Sequence, residues 1–119
     1  MTEIIKIWTT STARAKIRQI YNYSCDRWDE ETAKKYLAGL EEVIKSVAKG
    51  RTATKINREF STRFSYCTAK RHYIFFEHQK DKLIVASIFH TSMDVQDRMT
   101  EEMTAIDREI NAIEDEGLK

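Results

Sequence analysis

No proline interrupts this chain, and no Gly- or Ser-rich stretch divides it, so nothing marks a linker between two domains. No apolar run approaches the roughly 20 residues that a membrane-spanning helix needs. The opening Met1-Thr2-Glu3-Ile4-Ile5-Lys6 lacks the basic stretch and long apolar segment of a secretory signal. Cysteine is scarce: Cys25 and Cys67, with no CxxC and no Cys/His cluster, form no metal-ligand pattern. Their spacing permits a disulfide, but two free thiols in a cytoplasmic protein are the expected state. These absences point to a single domain over residues 1–119, cytoplasmic, with no membrane contact, metal or cofactor expected.

What the chain has in quantity is charge. Charged residues make up 33% and apolar ones 41%, the balance of a folded globular protein rather than a disordered one. The net charge of +1 conceals an asymmetry, because residues 1–91 carry 17 Lys/Arg against 10 Asp/Glu, while residues 92–119 carry three against nine. A basic body with an acidic tail implies an anionic partner, or a tail that competes for the basic surface. A merely solvated acidic helix accounts for it equally well.

Periodicity orders the elements. Ile4-Ile5-Lys6-Ile7-Trp8 is a β-branched run that reads as a strand. Ser11 or Thr12 is placed to cap a helix in which Ala13, Ile17, Ile20, Tyr21, Ser24 and Trp28 recur at spacings of three and four. Asp29 is a natural N-cap for a second helix, with Glu30 and Glu31 against its dipole. Ala33, Tyr36, Leu37, Leu40, Ile44 and Val47 form its apolar stripe, and Lys49-Gly50 ends it. So short a connection predicts an antiparallel helical hairpin. Residues 51–62 show no period and read as a loop. Arg63–Thr68, His72–Glu77 and Leu83–Phe89 then read as three strands of an antiparallel meander. The last is apolar on both faces and therefore central. From Asp94 a helical stripe resumes at Val95, Met99, Met103, Ile106, Ile110 and Ile113. Trp28, Tyr36, Phe64, Phe75 and Phe76 are expected in the core.

The order β-α-α-β-β-β-α, a helical hairpin on a small, mainly antiparallel sheet with an extra C-terminal helix, is an α+β arrangement that resembles the RelE/ParE toxins. Specific segments carry the resemblance further. Ala13–Trp28 is similar to the first helix of ParE-type members, with its aliphatic–aromatic face ending in Arg27-Trp28. His72-x-x-Phe75-Phe76 followed by Ile88-x-His90-x-x-Met93-Asp94 resembles the paired ParE signature. The match spans roughly residues 4–99; residues 100–119 are an acidic helical extension beyond it.

The resemblance implies the toxin of a type II toxin–antitoxin pair, held by a ParD-like or related antitoxin whose disordered segment folds over the hairpin and sheet. It implies that DNA is contacted only indirectly, through the antitoxin or the target. ParE-like members act on DNA gyrase, and RelE-like members cleave messenger RNA on the ribosome. Metal-free cleavage requires a base, an acid and cations on the phosphate; here Lys55, Arg63, His90 and Arg98 are the candidates. The His-x-x-Met-Asp ending, where RelE-like enzymes carry Arg and Tyr, favours the ParE branch, with no catalytic residues. A toxin relic that only binds its antitoxin is the third reading. His90, taken alone, reads first as a strand-end histidine with its polar atoms satisfied. Lys45 to Arg71 carries eight cations against Glu59 alone; of these Arg58, Arg63, Lys70 and Arg71 are the expected partner-binding surface. The tail's apolar stripe must bury itself on the chain's own core or on a second copy. Its acidic face (Glu102, Glu109, Asp115, Glu116) is placed to shield the basic loop.

Overall fold

The structure, a computed structural model, describes residues 6–117 and side chains as far as residue 113. Its elements are β1 (Lys6–Thr9), α1 (Ser11–Arg27), α2 (Glu30–Ala48), β2 (Ser65–Ala69), β3 (His72–His78), β4 (Lys82–His90) and α3 (Val95–Gly117). Ile4 and Ile5, assigned to the first strand from sequence, lie outside the described residues. The sheet order is β1-β4-β3-β2; β2, β3 and β4 are antiparallel neighbours, and β1 joins β4 in parallel.

β4 is buried along nearly its whole length because both faces of the sheet are covered. On one face lies the hairpin α1–α2, whose Ala13, Leu40, Ile44 and Val47 meet Ile74, Phe76, Leu83, Val85 and Ile88. On the other lies α3, whose Val95, Met99, Ile106 and Ile110 meet Phe64, Phe75, Ile84, Ala86 and Phe89. The apolar stripe of the tail is thus spent inside the chain. Ile106 and Ile110 are fully buried, each contributing about 1.5–3 kcal/mol by removal from water.

The helix ends follow from local chemistry. Asp29 caps α2 as expected, its carboxylate accepting from Thr32 N–H at 2.6 Å. Gly50, at φ 74°, ends α2: its N–H reaches Val47 O at 3.0 Å, and Arg51 N–H reaches Ser46 O at 2.9 Å. The cap of α1 is Thr10, neither Ser11 nor Thr12. Ser11 is diverted by a long-range partner: its N–H donates to Glu109 of α3 at 2.7 Å and its hydroxyl also binds that carboxylate. Thr10, almost wholly buried, accepts from Ala13 N–H at 3.0 Å and donates to Ala86 O at 2.8 Å.

The Ala86 carbonyl belongs to a bulge. Phe76 pairs with Val85 and Phe75 with Ser87, so Ala86 is an extra residue on β4. Before it, odd residues Leu83 and Val85 face the hairpin; after it, the even residue Ile88 does. His90 therefore lies on the hairpin face, directly opposite His72.

Two further sequence expectations are corrected. Trp28 is 53% exposed rather than in the core, because α1 ends at Arg27 and Trp28, its C-cap, no longer follows the helical stripe. β2 begins at Ser65, not Arg63. Tyr36 is half-buried, and Phe64, Phe75 and Phe76 are core residues as expected.

Thr10→Val keeps the shape but leaves Ala13 N–H and Ala86 O buried without a partner. The expected loss in urea unfolding is about 2–3 kcal/mol, with Thr10→Ser retaining most of the stability. Ile106→Ala is expected to cost about 2–5 kcal/mol, whereas Ile56→Ala, at an exposed position, should change stability by no more than ~0.5 kcal/mol.

Candidate functional site

At the end of the sheet where β3 begins and β4 finishes, α1 leaves the hairpin-side face partly uncovered. A cleft of about 370 Å³ opens there between α1, Tyr36 of α2 and the paired His72 and His90. The two residues that set it are placed by local geometry. The β2–β3 turn has only two residues, Lys70 and Arg71, with Lys70 at φ 56°, and this tight reversal sets His72 opposite Ala69. The bulge at Ala86 supplies His90. The imidazoles meet edge to face with centroids 5.1 Å apart.

A backbone donor fixes how one of the rings is protonated, and a phenol faces the other. Ser92 N–H donates to His90 Nδ1 at 3.0 Å and the Ser92 hydroxyl lies 2.7 Å from the same nitrogen, so neutral His90 carries its proton on Nε2. Tyr36 Oη accepts from Arg71 N–H at 3.4 Å and lies 2.6 Å from His72 Nδ1. When the phenol donates to that nitrogen, the His72 proton sits on Nε2 as well. Burial, with the neighbouring His90 second, pushes His72 down to about 4. Burial likewise raises the Tyr36 phenol, despite the nearby Arg71.

A second polar cluster lies on the α3 face. Arg63 donates to Glu77 at 2.6 Å and to Asp107 of α3, joining the chain before β2, strand β3 and the tail helix. The hydrogen bond to Glu77 raises the Arg63 pKa further against its partial burial. Lys16 pairs with Glu102 at 2.8 Å and lies over the Phe89 ring. The acidic tail thus meets basic residues through Asp107 and Glu102 and caps α1 through Glu109; the side chains of Asp115 and Glu116 lie outside the described residues.

The residues singled out from sequence do not form one site. Arg58 and Lys55 are exposed in the loop, where Lys55 exchanges backbone hydrogen bonds with Tyr66 at 2.7 and 2.8 Å. Arg63 touches Glu77, five residues along β3 from His72, which separates it from the histidines by roughly 16 Å of strand. Arg98 is exposed, pairs with Glu101 at 3.8 Å and does not line the cleft of His90. Lys70 lies over the Tyr36 ring at 5.1 Å. Its stem crosses α2 at Gly39, where a Cβ would stand 2.8 Å from Lys70 Cε. Arg71 alone of the four expected partner-binding residues lines the cleft. Sequence reasoning named neither His72 nor Arg27 as site residues. The signal for His72 was its place in the paired motif; for Arg27 there was only its position beside Trp28. Cys67 is buried and free, its thiol pushed up to about 11 by that burial, and so is unreactive; Cys25 is also free. Among the described residues no group of three metal-ligating side chains comes together, and no helix is long and apolar enough to cross a membrane.

A helical hairpin on one face of this four-stranded mixed sheet is the RelE/ParE-like toxin fold. A solved structure titled "Chromosomal ParDE TA system from P. aeruginosa" shares it, with a TM-score of 0.66 at 15% identity over 75% of this chain and 98% of that one. Residues 7–95 match the family described as the ParE toxin of the type II toxin-antitoxin system, parDE, and the chain belongs to that family. It is 26% identical over 95 residues to the protein named Toxin ParE of Escherichia coli, a match spanning 79% of this chain and 92% of that one.

His72 generates a pH dependence with a definite sign. Its folded pKa, about 4, lies below the unfolded value near 6.5. The unfolded chain therefore binds the proton first as pH falls, and stability present above pH ~6.5 is lost down to pH ~4. The expected loss from this group is on the order of 2–3 kcal/mol. His72→Gln should flatten that part of a stability–pH profile measured by urea unfolding at a series of pH values.

Proposed function

We propose that this protein is a ParE-type toxin that inhibits DNA gyrase and is neutralised by a cognate ParD-like antitoxin. The observation that carries the reading is family membership across residues 7–95, a span that includes both halves of the His72/His90 signature. The dispersal of Lys55, Arg63, His90 and Arg98 supports it further. A metal-free ribonuclease needs its base, acid and phosphate clamp within hydrogen-bond reach of one scissile group, and these four residues are spread over both faces of the sheet.

The surface offered to gyrase is proposed to include Arg58, Lys70 and Arg71, which are exposed and carry positive charge suited to a DNA-bound target. Arg63, in the same proposal, contributes by holding the loop in place through Glu77 and Asp107. The antitoxin segment is proposed to cover the hairpin and β1. Ile7 is 40% exposed there, and Ile17, Ile20, Leu37 and Val43 are only partly buried. β1 also lies at an edge of the sheet, since its only strand neighbour among the described residues is β4. Burying such a surface offsets the few kcal/mol needed to order a disordered partner segment.

The test is antitoxin-free protein added to gyrase, ATP and supercoiled plasmid. Protein-linked linear DNA is expected to accumulate with dose and to vanish on adding the antitoxin. The double substitution Arg58→Glu/Arg71→Glu should raise the half-maximal dose at least about tenfold, as loss of charge complementarity to DNA predicts. Unchanged supercoiling and religation at saturating protein would overturn the gyrase assignment, and a ribosome cleavage assay would then take its place.

A further inference from the structure

The cleft between α1 and the paired histidines has a donor pattern that neither the fold nor the family assignment uses. His90 presents Nε2–H, since Ser92 N–H occupies its Nδ1, and His72 does the same when the Tyr36 phenol donates to its Nδ1. Neither Nε2 has a hydrogen-bond partner among the described residues. Arg71 and Arg27 line the same cleft, and neither guanidinium is in an ion pair among the described residues. Among the described residues no carboxylate lines the cleft. Lys16 is set apart, because Glu102 already balances its charge. Hydrogen-bond donors without acceptors, in a cleft lined also by two uncompensated cations, suit a compact anion.

The walls add a second requirement. Five large apolar side chains are notably exposed among the described residues, and three of them, Tyr23, Trp28 and Met93, line this cleft. Trp28 is the C-cap of α1, its backbone N–H bonded to Ser24 O at 2.9 Å, and its ring is exposed in the cleft that Arg27 also lines. An exposed aromatic next to a cation is a stacking platform for a flat ring. The volume, about 370 Å³, falls in the lower part of the range of small-molecule sites.

We infer that this cleft binds one nucleotide, its phosphate held by Arg27, Arg71 and the two histidine Nε2–H groups and its base stacked on Trp28 and Tyr23. A run of carboxylates on a peptide would call for cations spaced along a groove. Here two imidazoles in contact, two arginines and exposed aromatic rings line one small cleft, a composition that suits a phosphate joined to a base. The inference does not rest on the gyrase reading, and gyrase is absent from its test.

The test follows the His72, His90 and Trp28 ring signals of the full-length protein by NMR. The titrants are 5′-dAMP, the dinucleotide pdApdA, inorganic phosphate and a glutamate-rich hexapeptide. Saturable shifts with both nucleotides are expected, at least about tenfold tighter than with phosphate. Arg27→Gln and Arg71→Gln should each weaken nucleotide binding about tenfold, as loss of a charge-assisted contact predicts. Trp28→Ala should weaken nucleotide binding about tenfold and leave phosphate binding unchanged. Arg27, Arg71 and Trp28 are all exposed, so these variants keep the fold, and a thermal melt checks that they do. If dAMP binds much more tightly than pdApdA, the occupant is a free nucleotide; comparable affinity assigns one residue of a single strand. The inference is overturned by the absence of saturable shifts at millimolar nucleotide, or by shifts indifferent to Arg27→Gln and Arg71→Gln. Phosphate binding as tight as nucleotide would also overturn it. So would a hexapeptide that binds more tightly than either nucleotide, assigning the cleft to a partner's acidic segment.

Discussion

Everything in this molecule is arranged around a strand that has no solvent face. β4 is apolar on both sides, so the fold must supply two cores, one beneath the hairpin and one beneath α3. Neither cover could be dispensed with, because an uncovered face would expose either Leu83, Val85 and Ile88 or Ile84, Ala86 and Phe89 to water. The acidic tail helix is therefore a structural layer. Its carboxylates serve the same end: Glu102 and Asp107 tie it to Lys16 and Arg63, and Glu109 satisfies N–H groups at the start of α1.

The extra residue at Ala86 links that packing to the site. A strand of strict alternation would send His90 to the α3 face. With the bulge it stands across from His72, and the buried Thr10 hydroxyl ties the bulge carbonyl to the first turn of α1. One side chain thus couples the end of β1, the helix that walls the cleft, and the irregularity that aims a histidine into it. Within the cleft, a backbone N–H from Ser92 occupies Nδ1 of His90 and the Tyr36 phenol faces Nδ1 of His72, so uncharged groups bear on the protonation of both imidazoles.

Sequence periodicity conveyed the order of elements, the central place of β4, the Asp29 cap and the Gly50 stop, because each rests on residues a few positions apart. It missed what depends on distant partners. Ser11 was a reasonable cap until Glu109 engaged it, and Trp28 followed the helical stripe until α1 ended beneath it. The basic stretch from Lys45 to Arg71 read as one surface. In three dimensions it is divided, with Arg63 drawn to Glu77 and Asp107 on the α3 face and Lys70 lying across Gly39 on the hairpin side. The pairing of His72 with His90 needed both a two-residue turn and a bulge, and a bulged alanine among Val85, Ala86 and Ser87 leaves no mark in hydropathy. The motif containing both histidines was visible, but its meaning as a juxtaposition was not.

The parallel pairing of β1 with β4 also imposes an order in time. Lys6 to Thr9 find their partners only at Lys82 to Val85, so during synthesis the first strand waits for most of the chain to be made. At ~5–20 residues per second this interval lasts several seconds. The α3-side core closes later still, when Ile106 and Ile110 emerge. The hairpin sequence therefore emerges before the strands it packs against, Ile74 and Phe76 of β3 and Leu83 and Val85 of β4. For those seconds the apolar stripe of the hairpin is open, and a chain made close by has its first opportunity to engage it before the finished protein exists.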